Sequence, residues 1–232
     1  MNNTKNILIT GTSKGIGKDL AKLYLSQGFS VWGCSRSKSN ISHKQYFHQK
    51  IDISKHNKLL TFLKTIKKKK IQMDALVLNA AIISRSLFLN ENYKSIKENT
   101  DLNYISNLVI INFFLKDMIR ASKGNIIFFS SISTSLKNIG TSLYSGIKSG
   151  LETFLEILSK EISIFNINII IFKISYIKTG MSRSLKKAEY LKIKKKLKKH
   201  KLKSAKDIFD LISKSTIRKK KKNLFIYKDI LK

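Results

Sequence analysis

The sequence predicts an α/β fold in three layers, with a doubly wound parallel sheet between two layers of helices. Short runs of β-branched and aromatic residues alternate with longer segments whose apolar residues recur at helical spacing. The run "MDALVLNAA" (73–81) is apolar on both faces, as expected where helices cover both sides of a parallel sheet. No break in composition divides the 232 residues, so we expect a single domain over residues 1–232.

The first half of the chain contains four predicted strands, each followed by a turn or a helix. These strands are "NILIT" (6–10), "FSVWGC" (29–34), "YFHQKIDI" (46–53) and "MDALVLNAA" (73–81). A helix follows the first strand, and we expect Gly28 to cap its C-terminus. The apolar face of this helix consists of Ile16, Leu20, Leu23 and Tyr24. A second helix is expected to begin at Ser54, a good N-cap residue. Its apolar face consists of Leu59, Leu60, Leu63 and Ile66.

The second half continues the alternation of helices and strands. We predict a helix over about 101–121, a strand at 125–130, a helix over about 144–165 and a strand at 167–175. After Thr179 the pattern loosens into a polar, basic segment. A short helix near 205–213 and an apolar run at 223–227 follow this segment.

Lysine dominates the charge of the chain. The sequence has 46 Lys+Arg against 14 Asp+Glu, a formal net charge of +32. Such an excess attracts polyanions, so nucleic acid or an acidic membrane surface has to be considered. The lysines are spread along the chain, however, and the sequence also favours Ile and Asn and contains no proline, a bias typical of A/T-rich codons. We therefore interpret the excess as a solvated basic surface and expect no specific nucleic-acid partner.

Targeting and membrane signals are weak. The single cysteine, Cys34, cannot form an internal disulfide, and the apolar run in "MNNTKNILITG" breaks off after three residues. The most apolar stretches, which start at Leu108 and Ile167, are too short and interrupted to span a bilayer. We expect a cytoplasmic protein with no signal peptide, no membrane span and no metal site.

A glycine-rich turn, "TGTSKGIG" (10–17), joins the first strand to the first helix. Its glycines let backbone N–H groups and the helix N-terminus approach a pyrophosphate without an intervening Cβ. Tight turns need glycine for other reasons too, but a strand before and a helix after favour dinucleotide binding. The residues predicted to bind the cofactor here are Gly11, Ser13, Lys14, Gly15, Ile16 and Gly17.

The end of the second strand decides which dinucleotide is preferred. An acidic residue there would bond the ribose hydroxyls and repel a 2′-phosphate. This chain has Ser35 and Arg36 instead, and Lys14 adds a second cation, so NADPH is favoured over NADH. Alternatively, both cations belong to the general basic excess. Asp52, after the third strand, could bond the adenine amino group or simply cap the next helix.

A tyrosine and a lysine, Tyr144 and Lys148, lie one turn apart on a predicted helix. A phenol with a pKa near ~10 is a poor acid at neutral pH unless a nearby ammonium lowers that pKa. Ser131 ends the preceding strand, at the sheet edge where open α/β proteins place their ligands. These residue types suit proton transfer to a carbonyl oxygen.

Together, these motifs resemble the short-chain dehydrogenase/reductase family over nearly the whole chain. The matching pieces are "TGTSKGIG", "LNAA" (78–81), "DLN" (101–103), "SS" (130–131) and "YSGIK" (144–148). The resemblance implies a Rossmann-type fold with Tyr144 as proton donor, Lys148 holding the nicotinamide ribose and Ser131 orienting the carbonyl. Asn103 would support a water that links Lys148 to solvent, or would instead bond its own backbone. Ser130 is a less suitable catalytic serine than Ser131, because the family spacing to Tyr144 favours Ser131.

The same resemblance implies further cofactor contacts. These are Ile53, Asn79, Ala80, Ala81, Ile177 and Thr179, together with Tyr144 and Lys148. The chain departs from the family pattern in having Ala81 in place of a glycine and Ile174-Ser175 in place of Pro-Gly. It also lacks the glycines that usually follow the last strand. The implied reaction is hydride transfer from C4 of the dihydronicotinamide to a carbonyl carbon.

Within the family, the chain looks most like bacterial 3-oxoacyl-acyl-carrier-protein reductases. Acyl carrier proteins are acidic, so a basic surface would suit them. Alternative readings are a reductase of sugars or other small ketones and, from another class, a non-catalytic basic binding module. Residues 180–203 are expected to form the substrate loop, and we expect a homo-oligomer, a tetramer or a dimer. An apolar stripe that serves either as subunit contact or as core comprises Leu151, Phe154, Leu155, Leu158 and Ile162.

Overall fold

A computed structural model describes residues 4–174, 204–217 and 223–228. Within these ranges, seven strands form one parallel sheet in the order β3-β2-β1-β4-β5-β6-β7. The strands are β1 (Asn6–Thr10), β2 (Ser30–Ser35), β3 (Tyr46–Lys50), β4 (Ala75–Leu78), β5 (Gly124–Ser131), β6 (Ile167–Ile174) and β7 (Leu224–Lys228). The strand order reverses between β1 and β4, which opens a crevice at their carboxyl ends. The predicted doubly wound sheet is confirmed.

Helices cover both faces of this sheet. They are α1 (Gly15–Ser26), α2 (His56–Lys68), α3 (Tyr93–Thr100), α4 (Ser106–Arg120), α5 (Ser133–Leu136), α6 (Ser142–Glu161) and α7 (Ala205–Ile217). A π-helical turn, Asp101–Ile105, joins α3 to α4, and a 3-10 turn occupies Phe88–Asn90. No helix in the described part of the chain is long and apolar enough to cross a bilayer.

The core lies in two layers because alternate residues of each strand point to opposite faces of the sheet. In β1, Leu8 packs with α2, α4 and α6, whereas Ile7 and Ile9 pack with α1 and α7. The predicted three layers are therefore confirmed. The apolar stripe of the α6 segment belongs mainly to the first layer: Leu151, Leu155, Leu158 and Ile162 are all buried there. Of the two roles considered for the stripe, these four side chains serve as core.

Several predicted boundaries were wrong. The helix expected from residue 101 begins at Tyr93, where the Asn92 side chain caps it by accepting the Ser95 N–H at 2.9 Å. β3 and β4 end three residues before their predicted limits, and the chain continues as loops that line the crevice. α5 was not predicted. Ile177, Thr179 and the proposed loop 180–203 lie outside the described residues.

The caps of the first two helices differ in how well the sequence predicted them. Gly28 follows α1 with φ +79°, the left-handed conformation that favours glycine, as predicted. Ser54 is not the N-cap of α2, because that helix begins at His56. Instead, the N–H and hydroxyl of Ser54 both donate to Asp52 Oδ1, at 3.0 and 2.7 Å. The short side chain of Asp52 thus shapes the loop before α2, and no side chain caps that helix.

Candidate active site

A cleft open to solvent lies at the carboxyl ends of β1 to β4. Twelve residues predicted to bind the cofactor line it: Gly11, Ser13, Lys14, Gly15, Ile16, Ser35, Arg36, Asp52, Ile53, Asn79, Ala80 and Ala81. Four further residues of its wall were not predicted: Cys34, Ser37, Ile51 and Leu102. In the described part of the chain, no group of His, Cys, Asp or Glu side chains is arranged to hold a metal.

The glycine turn exposes its backbone to this cleft. Gly11 and Gly15 have φ +80° and +61°, which residues with a Cβ rarely adopt. The Gly11 N–H donates to Cys34 O at 2.7 Å, which ties the turn to the end of β2. The first turn of α1 contains no acidic side chain, so its N–H groups and positive dipole end are free to meet an anion. These features fit the pyrophosphate of a dinucleotide.

Gly17 serves this turn indirectly. A Cβ added at Gly17 would lie 2.4 Å from both Asn79 Nδ2 and Gly11 O, so α1 packs directly against the turn and the end of β4. Gly17 does not line the cleft itself. Gly17 was predicted to be a cofactor contact. In the structure it instead allows α1 to pack close to the turn, which lets the cleft form.

The ends of β1 and β4 are cross-linked by Thr10 and Asn79. The Thr10 hydroxyl accepts the N–H groups of Asn79 and Ala80 at 3.0 and 2.9 Å, and Asn79 Nδ2 donates to Thr10 O at 2.9 Å. These bonds hold the wall of the cleft at the topological switch point of the sheet. Thr10 was not predicted as a site residue, although its place at the start of the glycine motif was visible in the sequence.

The far end of the cleft contains the residues proposed to select the cofactor. Arg36 is exposed there, and no acidic residue follows β2. Ser35 Oγ donates to Ser37 O at 2.9 Å and lies 2.8 Å from His48 Nε2. Burial lowers the pKa of His48, which favours the neutral form of this imidazole. Asp52 lines the cleft, and its carboxylate accepts from Ser54, so it does not cap α2 as the alternative role required.

Ser131 and Tyr144 meet at the carboxyl edge of the sheet. Ser131 is the last residue of β5, and Tyr144 lies in the first turn of α6 with 7% of its surface exposed. Ser131 lies close enough to Tyr144 to act on the pKa of its phenol, and Ser131 Oγ accepts the Ser133 N–H at 3.2 Å. Ser130 points elsewhere and donates to Glu152. The alternation of the strand therefore places Ser131 at Tyr144, the arrangement expected from the spacing.

Lys148 lies one turn further along α6 and is 1% exposed. Its Nζ donates to Phe129 O at 2.8 Å. The same atom lies 4.6 Å from the ring centroid of Phe128 and 5.9 Å from that of Tyr144. The ammonium is thus held between β5 and the tyrosine by a carbonyl and two aromatic faces.

The protonation of both groups is governed by burial. Burial raises the pKa of Tyr144 to about 12, while the neighbouring Ser131 hydroxyl and the charge of Arg85 act in the opposite direction. Burial lowers the pKa of Lys148 to about 7, and the charge of Glu152 opposes this shift. The expected lowering of the tyrosine pKa by Lys148 is therefore not seen in this structure. Loss of solvent outweighs the charge interaction for each group.

Asn103 lies in the π-helical turn and is fully buried. Its Nδ2 donates to Ile82 O at 2.9 Å, and its Oδ1 accepts the Ile82 N–H at 3.1 Å. The alternative that this side chain bonds its own backbone is therefore wrong. Its backbone oxygen accepts from Asn107 Nδ2 at 2.9 Å. Such π-helical turns occur frequently at functional sites, and this one joins the Asn103 side chain to the segment after β4.

Comparison with known proteins agrees with this geometry. A family model described as short chain dehydrogenase matches residues 5–190. Carbonyl reductase family member 4 from Xenopus laevis is 31% identical over 191 residues, which cover 79% of this chain and 80% of that protein. The 3-oxoacyl-[acyl-carrier-protein] reductase FabG from Buchnera aphidicola is 27% identical over 214 residues, covering 90% and 88% of the two chains.

Solved structures show the same fold at lower sequence identity. A 4-hydroxyisoleucine dehydrogenase complexed with NADH has a TM-score of 0.85 at 19% identity and covers 97% of this chain and 98% of its own. ElxO with NADP bound has a TM-score of 0.78 at 20% identity, with 97% of each chain covered. Neighbours with either nicotinamide cofactor thus share this fold. The chain belongs to the short-chain dehydrogenase family, and it is an NAD(P)-dependent oxidoreductase that acts on CH–OH or carbonyl groups.

Proposed function

We propose that this protein is an NADPH-dependent reductase that transfers hydride to the carbonyl carbon of a 3-oxoacyl thioester. The observation that carries the proposal is the meeting of Ser131, Tyr144 and Lys148 at the sheet edge, beside a cleft that fits a dinucleotide. The thioester is supported by relatives named 3-oxoacyl-[acyl-carrier-protein] reductase, among them those from Buchnera aphidicola and Chlamydia trachomatis. An acidic acyl carrier protein would also suit the basic surface.

In this mechanism the residues of the chain bind the cofactor, orient the carbonyl substrate and protonate its oxygen. A bound nicotinamide supplies the hydride. The glycine turn holds the pyrophosphate, with Asn79, Ala80 and Ala81 along the wall of the cleft. Ser131 donates to the carbonyl oxygen and orients it, and Tyr144 gives its proton to the same oxygen as the C–H bond forms, leaving an alcohol and a phenolate.

The phenolate must then be reprotonated from solvent. Lys148 holds the ribose of the nicotinamide and stabilises the phenolate by its charge. Asn103 supports the water through which Lys148 exchanges protons with solvent. Ile177 and Thr179 are proposed as further cofactor contacts and residues 180–203 as the substrate loop. The protein is also proposed to be cytoplasmic and homo-oligomeric.

The acid role of Tyr144 is tested by Tyr144→Phe. We expect the rate of NADPH oxidation with acetoacetyl or longer 3-oxoacyl thioesters to fall by at least about 100-fold, because the proton donor is lost. The Kd for NADPH, measured by fluorescence titration, should stay within about threefold. The matched control is Tyr93→Phe, which removes the same hydroxyl from a residue that is 78% exposed. Normal turnover in Tyr144→Phe would exclude the proposed mechanism.

The same assay identifies the substrate class. A panel of 3-oxoacyl thioesters, keto sugars and small ketones is compared by kcat/KM with the unmodified protein. The proposal requires the thioesters to be reduced best. A clear preference for keto sugars or small ketones would support the reductase activity but contradict the proposed thioester substrate.

The preference for NADPH is tested by Arg36→Ala. We expect the affinity for NADPH to fall about tenfold or more, because a charge-assisted bond to the 2′-phosphate is lost. The affinity for NADH should change by less than about twofold. Lys38→Ala is the control, since it removes an exposed cation two residues away that does not line the cleft. Equal losses for both cofactors would contradict the proposed role of Arg36.

A further inference from the structure

A buried carboxylate, Glu152, lies one helical turn beyond Lys148 on α6. Its Oε1 accepts hydrogen bonds from the hydroxyls of Ser130 and Thr134, the latter at 3.1 Å. Its Oε2 lies 2.6 Å from Lys173 Nζ, and the two side chains are only 7% and 13% exposed. Every oxygen of this carboxylate thus has a partner, although none of the motifs predicted from the sequence includes it.

These partners surround the residues proposed to act in the reaction. Ser130 precedes Ser131 in β5 and is paired in the sheet with Lys173 of β6. The single proton of the Thr134 hydroxyl is shared between Glu152 Oε1 and Ser131 O, the latter at 2.8 Å. Glu152 therefore connects the helix that carries the reactive residues to both strands beneath them.

Packing alone does not require this arrangement. A buried ion pair contributes little net stability compared with an apolar pair of similar volume, because both charges lose their solvent. A carboxylate held by two hydroxyls and an ammonium beside a second, fully buried ammonium therefore points to an electrostatic role. Burial lowers the pKa of Lys148, and Glu152 is the charge that opposes this effect.

The other groups around Lys148 differ in charge and position. Tyr144 faces it from the same helix, and β5 contributes the Phe129 carbonyl and an aromatic ring. Lys173 reaches Glu152 from β6, and Arg85, in the segment after β4, acts on Tyr144. Of these neighbours, Glu152 is the one whose negative charge favours the ammonium form of Lys148.

We propose that Glu152, held by Ser130, Thr134 and Lys173, is a positioning residue that keeps Lys148 protonated beneath Tyr144. The use of this charge in the reaction rests on the proposed function, whereas the coupling between the two side chains does not. The positive charge of Lys173 offsets part of the negative charge of Glu152. The two charges together therefore determine how strongly Lys148 holds its proton.

The test is a titration of Lys148 by NMR in protein labelled at lysine Cε. The Lys148 resonance is identified by its absence in Lys148→Met. We expect Glu152→Gln to lower its midpoint by about one pH unit or more, and Lys173→Met to raise it, because one variant removes a negative charge and the other a positive one. Glu156→Gln is the control: it makes the same change one turn further along α6, at a half-buried site, and should leave the midpoint unchanged.

A structural role would give a different result. The proposal is overturned if Glu152→Gln leaves the midpoint unchanged, or if Glu152→Gln and Lys173→Met shift it in the same direction. If Glu152→Gln fails to fold, Glu152→Asp and Lys173→Met provide the test. Glu152→Asp must leave the Lys148 midpoint close to that of the unaltered protein, and Lys173→Met must raise that midpoint. Any other result from these two variants overturns the proposal.

Turnover provides a second readout. In Glu152→Gln, the pH at which reduction declines on the alkaline side should fall together with the Lys148 midpoint, while KM for the ketone changes little. A drop in kcat with no change in this pH would overturn the proposed role. If the unaltered protein reduces no ketone, the proposed function fails, and the titration still decides the coupling of Glu152 with Lys148.

Discussion

Lys148 shows, at the scale of a single residue, that a buried charge at the candidate site lowers the stability of the folded protein. Its side chain is fully buried, and burial lowers its pKa to about 7 from an ordinary value of 10.5. A group whose pKa is lowered by folding releases a proton that the unfolded chain still binds, so stability rises with pH between the two values. Below that range the folded protein bears the full cost of the buried charge.

We therefore expect Lys148→Met to be more stable than the unaltered protein at neutral pH and below, by on the order of 2 kcal/mol. The gain should shrink as the pH rises from 7 toward 10, because the unaltered protein then folds with a neutral amine. Urea unfolding at both pH values measures the difference. Lys160→Met, at an exposed site of the same helix, should show no such dependence on pH. A Lys148→Met protein less stable at neutral pH would contradict this account.

At the scale of elements, the start of α1 decides whether the cleft can form. The helix approaches the end of β4 so closely that only glycine fits at position 17, where a Cβ would lie 2.4 Å from Asn79 Nδ2 and from Gly11 O. The glycine turn thus depends on a helix contact as well as on backbone conformation. The opposite case is Gly146 in α6, around which no atom lies within 4 Å of an added Cβ.

These two glycines form a matched pair for alanine substitution. We expect Gly17→Ala to destabilise the protein by about 1–3 kcal/mol through overpacking, and to weaken dinucleotide binding because Asn79 and the turn must shift. Gly146→Ala should raise stability by up to about 1 kcal/mol, since alanine is the better helix former. Thermal unfolding and NADPH titration report both effects. Equal behaviour of the two variants would show that the contact at Gly17 is unimportant.

At the scale of the whole molecule, the excess of positive charge is the most prominent property. The net charge of +32 is distributed over both halves of the chain, including the exposed lysines 67–70 at the end of α2. Coulomb attraction of this kind acts on any polyanion and is screened by salt within a Debye length of about 8–10 Å. A basic surface alone therefore does not identify a nucleic-acid partner.

We expect binding to random-sequence duplex DNA to weaken by at least about 100-fold between roughly 50 and 200 mM salt, as counterion release requires. Filter binding over a salt series measures the slope. Replacing lysines 67–70 by glutamine should reduce this slope and leave reductase turnover unchanged, because these residues lie outside the cleft. Tight, sequence-specific binding that survives physiological salt would instead favour the binding-module alternative.

Most of the fold could be predicted from the sequence, because strand and helix periodicities are local properties. The approximate positions of the strands and of the first and last helices follow from short windows of residues, and their alternation along the chain predicts a parallel sheet. The errors lie where tertiary contacts determine the end of a strand or the start of a helix. β3 and β4 end early because their last residues turn to line the crevice, and α2 starts late because Asp52 bonds Ser54 before the helix begins.

The glycine turn, the Tyr144 and Lys148 pair and Ser131 can all be read from the sequence, since each is a short motif at a recognisable spacing. The groups that surround them become visible only in the folded chain. The fold directs Ser130 to Glu152 and Ser131 to Tyr144, joins Asn103 to Ile82 across 21 positions and brings Lys173 to Glu152 from another strand. Burial and charge at a site depend on neighbours distant in sequence, whereas the spacing of a motif reports only on residues nearby in the chain.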